Sequence, residues 1–238
     1  SALINAQARS GSAVVIDIKT GEILAMVNQP SYNPNSRESS SPYLHRNRAV
    51  TDVVEPGSVI KSITVAAALE NGVNPNIRID TNPGIMTLDK YTIRDTSNHG
   101  VVSLEGLLQM SSNIGAAKLA SNMSNAHLYD VLHRFGYGQS TNSGFPGESS
   151  GVLSQPRSWG PVEKATISYG YGLSVTPLQI AQAYATLANH GRMMTPTFVK
   201  SAEQKTGTQV MDPLIANEVL AMLESVTNLG GTAQKAAI

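Results

Sequence analysis

Near its N-terminus the chain runs through two β-rich apolar stretches, Ser12-Ala13-Val14-Val15-Ile16-Asp17-Ile18 and Glu22-Ile23-Leu24-Ala25-Met26-Val27, separated by Lys19-Thr20-Gly21. A short glycine-containing connection between two such stretches predicts a β-hairpin over 12–27. From Pro30 to Arg48 the pattern turns polar and rich in Asn, Ser, Pro and Arg, which predicts a long surface loop. A different signal follows. Ser62 to Leu69 is almost wholly apolar and stops at Asn71-Gly72, a helix C-terminal signal, so a buried helix is expected to open near Pro56-Gly57-Ser58. Residues 73–100 look irregular, with short strands predicted at Ile85 to Leu88 and Tyr91 to Ile93. Helical patterns return at 103–110, 113–123, 125–135, 176–189 and 213–227, and glycine and proline cluster between 136 and 160 as a second long loop. There is no internal repeat, no low-complexity tract and no clear boundary. The pattern therefore predicts one α+β domain over 1–238, mostly helical, with the hairpin at 12–27 and a helical body at about 57–227.

Composition narrows the function classes. The 238 residues are enough for a sizeable core, and 17 Lys plus Arg balance 17 Asp plus Glu, so no net field recruits nucleic acid or an anionic membrane. Nucleic acid is not an expected partner. With no cysteine, disulfides, thiolate catalysis and thiolate metal sites are excluded. None of the five histidines (His45, His99, His127, His133, His190) pairs with another at His-x-x-x-His spacing, so no metal site is expected. No apolar run approaches the ~20 residues needed to span a bilayer, and no basic region precedes an apolar core at the N-terminus. If the native protein is exported, its targeting or anchoring segment lies outside this sequence.

The chemistry concentrates at Ser58 and Lys61, three residues apart at the start of the apolar helix. Positions i and i+3 share a helix face, which sets an amine beside a hydroxyl. One reading is a serine cap with a solvated lysine. The other is a nucleophile next to its base, which requires burial or another cation to keep the amine neutral. Further on, Ser111-Ser112-Asn113 falls between two predicted helices. By itself it reads as a helix cap. Beside Ser58-x-x-Lys61, Ser111 and Asn113 supply what acyl transfer needs, a hydroxyl to relay a proton and an amide to hold a peptide group.

With these two motifs the chain resembles the penicillin-binding proteins, whose motif set is Ser-x-x-Lys, Ser-x-Asn and Lys-Thr-Gly. The likeness extends through Thr20-Gly21-Glu22-Ile23-Leu24-Ala25-Met26, Ser31-Tyr32-Asn33-Pro34-Asn35, Arg46-Asn47-Arg48 and Glu55-Pro56-Gly57-Ser58. It continues through Phe145-Pro146-Gly147-Glu148, Tyr169-Gly170-Tyr171-Gly172 and Val175-Thr176-Pro177-Leu178-Gln179, and so covers nearly the whole chain. Within the family it is most similar to the class B transpeptidases of Gram-negative cell division. The implied fold is the penicillin-binding-protein and serine β-lactamase fold. Lys205-Thr206-Gly207 has the letters of the third motif but sits in a polar turn leading into a helix, not on an apolar strand, and is read as a decoy. On this reading the genuine third motif and the last strands of the central sheet lie beyond Ile238, and these residues alone are expected to be unstable or inactive.

The resemblance implies action on peptidoglycan stem peptides ending in D-Ala-D-Ala during septal wall synthesis, at the periplasmic face of the inner membrane. It makes Ser58 the nucleophile and Lys61 its base; Ser111 relays the proton to the leaving amine, and Asn113 holds the donor peptide and helps orient Lys61. β-Lactams would acylate Ser58, no cofactor is called for, and a membrane-embedded glycan polymerase and other division proteins are implied partners. Two alternatives stand beside it: a serine β-lactamase or D,D-carboxypeptidase, which shares the first two motifs, and a non-catalytic division scaffold. Glu148 fits the transpeptidase pattern and not a deacylating base. Arg46, Arg48, Asp52 and Glu55 are expected to form a charge network bracing the Ser58 helix. Trp159 is expected to anchor packing, and Tyr169 and Tyr171 either line the cleft or pack at a helix start.

Overall fold

The computed structural model describes residues 2–35, 41–200 and 206–237. A short helix α1 (Ala2–Asn5) leads into strands β1 (Gly11–Ile16) and β2 (Ile23–Gln29), which pair antiparallel with Gly11 opposite Gln29. Their turn is fixed locally: the Asp17 carboxylate accepts the backbone N–H groups of Lys19 and Thr20, each at 2.9 Å. The expected hairpin is thus present, a residue or two longer at each end. Its two faces differ. Helix α9 (Pro177–Ala188) packs on one side of β1, whereas Val15, Leu24 and Val27 are 51%, 62% and 60% exposed.

The polar stretch after the hairpin is not wholly a loop. It contains α2 (Pro42–His45) and α3 (Arg48–Thr51), each four residues long and too short to print a periodic pattern. Next comes a 3-10 turn, Gly57–Ile60, continuous with α4 (Lys61–Glu70). From Ile63 to Ala68 every residue of α4 is buried, which is the behaviour of a helix apolar on all sides. The main core forms around it, with Leu104, Leu107, Leu119, Leu128, Leu132 and Phe135 packed against the α4 alanines.

Four short strands follow, β3 (Ile79–Asp80), β4 (Ile85–Leu88), β5 (Tyr91–Arg94) and β6 (Val101–Val102), paired as β3–β6 and β4–β5. Then come α5 (Leu104–Gln109), α6 (Asn113–Ser121), α7 (Asn125–Arg134), α8 (Pro161–Ser168), α9 (Pro177–Ala188), the β7 (Arg192–Met193) and β8 (Thr208–Gln209) pair, and α10 (Pro213–Glu224). Each of α5, α6, α7 and α9 opens on a Ser or Thr whose hydroxyl accepts a backbone N–H of the first turn. The capping box of α9, Thr176 with Gln179, is complete. Helix α8 was not expected, because Gly160-Pro161 closes a glycine- and proline-rich stretch; Pro161 in fact occupies the first helical turn, where its missing N–H costs nothing. Every sheet among the described residues has two strands. No described helix is long and apolar enough to cross a membrane.

Candidate active site

Ser58 lies in the 3-10 turn and Lys61 is the first residue of α4. In a 3-10 segment side chains at i and i+3 eclipse, so this local winding aligns the pair more closely than an α-helix would. The ammonium-bearing Nζ of Lys61 stands 3.0 Å from Ser58 Oγ. Two further contacts complete its surroundings: Ser111 Oγ at 2.9 Å and the Ser111 backbone carbonyl, to which it donates, at 2.6 Å. Lys61 is 1% exposed, and burial lowers its pKa to about 8, opposed by the negative charge of Asp95. The solvated-lysine reading of this motif is therefore ruled out.

The turn before Ser58 is held by a second backbone. Gly57 N–H donates to the Gly170 carbonyl at 3.0 Å. Gly170 has φ +96°, and a Cβ there would lie 1.9 Å from the Gly57 carbonyl oxygen, so two main chains meet in space that only glycine leaves open. Nearby, the Tyr184 hydroxyl donates to the Val59 carbonyl at 2.8 Å and accepts from Ser62 Oγ at 3.2 Å. A small cavity of about 170 Å³ is lined by Ser58, Lys61, Ser111 and Tyr184 together with Leu223 of α10 and Thr232. A larger cavity of about 510 Å³ lies behind α6, lined by Met86, Leu88, Ala117, Trp159 and Ala165. Ser121, Lys118 and Lys164 also line that second space, but the two amines donate to the backbone carbonyls of Asp80 and Met123 and the Ser121 hydroxyl donates to the Lys118 carbonyl, so no described hydrogen bond joins a hydroxyl to an amine there.

Ser111 and Asn113 arrive from the turn between α5 and α6. Ser112, not Ser111, is the helix cap, accepting Gly115 N–H at 2.9 Å. Ser111 adopts φ +57°, an uncommon conformation for a non-glycine residue, and this turns both its carbonyl and its hydroxyl toward Lys61. Asn113 is partly exposed, and its side-chain amide donates to the Arg94 carbonyl at 2.9 Å. Of this turn it is Ser111 that touches Lys61; the described hydrogen bonds of Lys61 include none to Asn113, which was expected to help orient it.

Other expectations divide. Arg46 and Arg48 both pair with Asp52, the latter at 3.0 Å, but Glu55 leaves that network and instead accepts Gly172 N–H at 2.9 Å. Glu55 thereby ties the segment before Ser58 to the glycine turn that buttresses it. Glu148 accepts from Thr141 N–H and from Ser143 N–H and Oγ, an internal brace of its own loop. Trp159 is buried with its indole N–H on Ser154 Oγ at 2.8 Å. Tyr169 is buried at the end of α8 whereas Tyr171 is half exposed. Lys205, the first letter of the apparent third motif, lies outside the described residues; Thr206 and Gly207 lead directly into the short strand β8. Sequence reasoning missed Asp95, Tyr184 and Gly170 as builders of this site, because each acts through a partner far away along the chain.

The description "Penicillin binding protein transpeptidase domain" matches residues 11–238. The chain belongs to the penicillin-binding protein transpeptidase family. It is 43% identical over 233 residues to the peptidoglycan D,D-transpeptidase FtsI of Escherichia coli K12, an alignment covering 98% of this chain and 39% of that one. The probable peptidoglycan D,D-transpeptidase PenA of Neisseria flavescens is 40% identical over 95% of this chain and 56% of its own length. The chain thus spans well under two thirds of either relative. Among solved structures, the transpeptidase domain of Burkholderia pseudomallei penicillin-binding protein 3 superposes with a TM-score of 0.89 at 40% identity, covering 100% of this chain and 68% of that one. A Burkholderia ambifaria structure described as a peptidoglycan glycosyltransferase superposes at 0.91 with 42% identity, covering 100% of this chain and 72% of its own. The expected α+β penicillin-binding-protein fold is therefore the observed one.

Proposed function

We propose that this domain is the acyl-transfer part of a septal peptidoglycan D,D-transpeptidase, with Ser58 as nucleophile and Lys61 as its base. The observation that carries this reading is the buried contact of Lys61 Nζ with both Ser58 Oγ and Ser111 Oγ. A neutral amine has one lone pair and two N–H groups. Three partners surround it, and the allocation balances: Ser58 O–H donates to the lone pair while the two N–H groups face the Ser111 carbonyl and hydroxyl. With a pKa of about 8, roughly a tenth of the molecules at pH 7 hold Lys61 in that neutral form.

In the proposed reaction the Ser58 proton passes to Lys61 as Oγ attacks the carbonyl of the penultimate D-alanine. The amide C–N bond then breaks, and Ser111, hydrogen-bonded to Lys61, returns the proton to the departing terminal D-alanine amine. An amine of a neighbouring stem attacks the Ser58 ester, forms the new amide and restores the serine hydroxyl. Ser58 N–H lies in the first turn of the 3-10 segment, where backbone donors lack helical partners, and it faces the developing oxyanion as one of its donors. Asn113 presents its amide at the partly exposed lip of the site, where it holds the donor peptide. β-Lactams enter by the same attack on Ser58.

This reading places the domain at the periplasmic face of the inner membrane, working with a membrane-embedded glycan polymerase and other division proteins. The second oxyanion donor and the third motif have no assigned residue here, so these residues by themselves are proposed to be inactive in cross-linking. A hydrolase reading requires a carboxylate that activates water, and Glu148 is already committed to its own loop. The test is the lifetime of a labelled penicillin on the whole protein. A lasting adduct on Ser58, absent from Ser58→Ala, supports the transpeptidase; release within seconds supports a β-lactamase, and no adduct at all removes the enzymatic reading.

A further inference from the structure

The turn that carries Ser111 and Asn113 is bolted to one carboxylate. Asp95 follows the last residue of β5, and its own N–H donates to the Gly84 carbonyl at 3.1 Å, which fixes it at the base of the β4–β5 hairpin. From there Oδ1 accepts Asn113 N–H at 2.6 Å and Ile114 N–H at 3.0 Å, and Oδ2 accepts the Ser112 hydroxyl at 2.6 Å. The preceding carbonyl, that of Arg94, receives the Asn113 side-chain amide. Charge-assisted bonds of this kind are about twice as strong as neutral ones. The first turn of α6 and the side chain of Asn113 are therefore all referred to the Arg94–Asp95 corner.

Ser111 precedes this clamped segment, at an uncommon positive φ, and makes two of the three contacts to Lys61 Nζ. We propose that Asp95 is a positioning residue of the acyl-transfer reaction: it holds the Ser111–Asn113 turn in register with Lys61 and sets, through its charge, how much of Lys61 is neutral. This rests on the functional reading above, in which Lys61 acts as the base.

The two effects of Asp95 oppose each other in rate. Clamping the turn favours reaction, whereas the negative charge favours protonated Lys61 and so diminishes the reactive form. The surroundings of Lys61 make this attribution specific. Ser58 on its own turn, Ser111 from the α5–α6 turn, Leu108 of α5, Leu223 of α10, Val226 and Thr232 carry no charge. Tyr184 from α9 is half-buried, and loss of hydration raises its pKa, which keeps it neutral. Glu70, His127 and Arg134 gather at the opposite end of α4, about 13 Å away along the helix at 1.5 Å per residue. Asp95 is the charged group that acts on Lys61.

Two substitutions separate the effects. Asp95→Asn keeps an acceptor oxygen for the α6 N–H groups and removes the charge; Asp95→Ala removes both. The rate of Ser58 acylation by a labelled penicillin is measured against pH for each, on protein whose thermal unfolding shows that it is folded. The expected result for Asp95→Asn is a rate profile whose half-maximum moves to lower pH than in the unsubstituted protein. For Asp95→Ala a loss of about a hundredfold is expected across the pH range, the cost of misplacing a catalytic group by ~1 Å. A role confined to folding leaves the midpoint of the pH profile unmoved. If the unsubstituted protein acquires the adduct on Ser58, a superimposable profile for Asp95→Asn overturns the charge effect, a rate for Asp95→Ala within tenfold of the unsubstituted protein overturns the positioning role, and the functional reading stands in either case. If the unsubstituted protein acquires no adduct, both fall together.

Discussion

In the proposed reading, burial makes a base of Lys61, a residue that is ordinarily an acid at neutral pH. Its ammonium loses hydration when α4 is packed on all sides, and the charge of Asp95 resists the resulting fall in pKa. The sign of the pH effect follows. Below about 8 the amine is protonated and cannot accept the Ser58 proton, so acylation is expected to rise about tenfold per pH unit up to that point and then level off. Arginine preserves the charge and the length but does not deprotonate in proteins. Lys61→Arg is therefore expected to abolish acylation, by about a thousandfold or more within the range of general-base effects, while retaining a folded protein; activity within tenfold of the unsubstituted rate in a penicillin-binding assay contradicts the base assignment. Ser58, by contrast, owes its place to backbone geometry. Its spacing from Lys61 could be read directly from the sequence, because a three-residue separation at a helix start has few outcomes. Asp95 could not: it is one acid at the end of a short strand, and its three partners begin at Ser112, 17 residues on.

The elements around the site differ in how tightly they are constrained, and glycines show it. Gly170 and Gly72 both adopt positive φ, +96° and +86°, yet a Cβ at Gly170 meets the Gly57 backbone whereas one at Gly72 meets nothing within 4 Å. Substituting either by alanine imposes a similar backbone strain of ~1 kcal/mol. Only Gly170→Ala also pushes the turn that presents Ser58, so it is expected to add ~1–3 kcal/mol of overpacking and to slow acylation by about a hundredfold. Gly72→Ala, at the far end of α4, is expected to lower the unfolding temperature by a few degrees and leave the acylation rate within twofold. Equal acylation rates for the two variants would show that the glycine turn does not hold the nucleophile. The tyrosine–glycine turn stood out in the sequence, but its partner did not, since a close approach of two backbones leaves no mark on either segment.

Across the whole molecule, what could be read beforehand was what repeats or caps locally. The hairpin at 12–27, the apolar helix after Ser58, the strands at 85–88 and 91–94 and five helices with Ser, Thr or Asp at their N-caps were all predicted to within a few residues. Elements without a local signature were missed: the four-residue helices α2 and α3, the two-residue strand pairs, and α8, hidden by the glycine and proline before it. The site draws chiefly on the first class, and α8 enters it through Gly170, just past its end, whose carbonyl accepts the Gly57 N–H. Four parts of the chain meet at Lys61, namely the 3-10 turn, the α5–α6 turn, α9 through Tyr184 and α10 through Leu223, and burial of the amine is a property of all of them together. The account therefore stands or falls on the protonation of one side chain within the folded protein. A nuclear magnetic resonance titration of the Lys61 side-chain amine, its signal assigned by loss in Lys61→Met, measures this directly. The predicted midpoint is about pH 8; a midpoint near the ordinary lysine value of about 10.4 would contradict a neutral amine at Ser58 and with it the proposed activation.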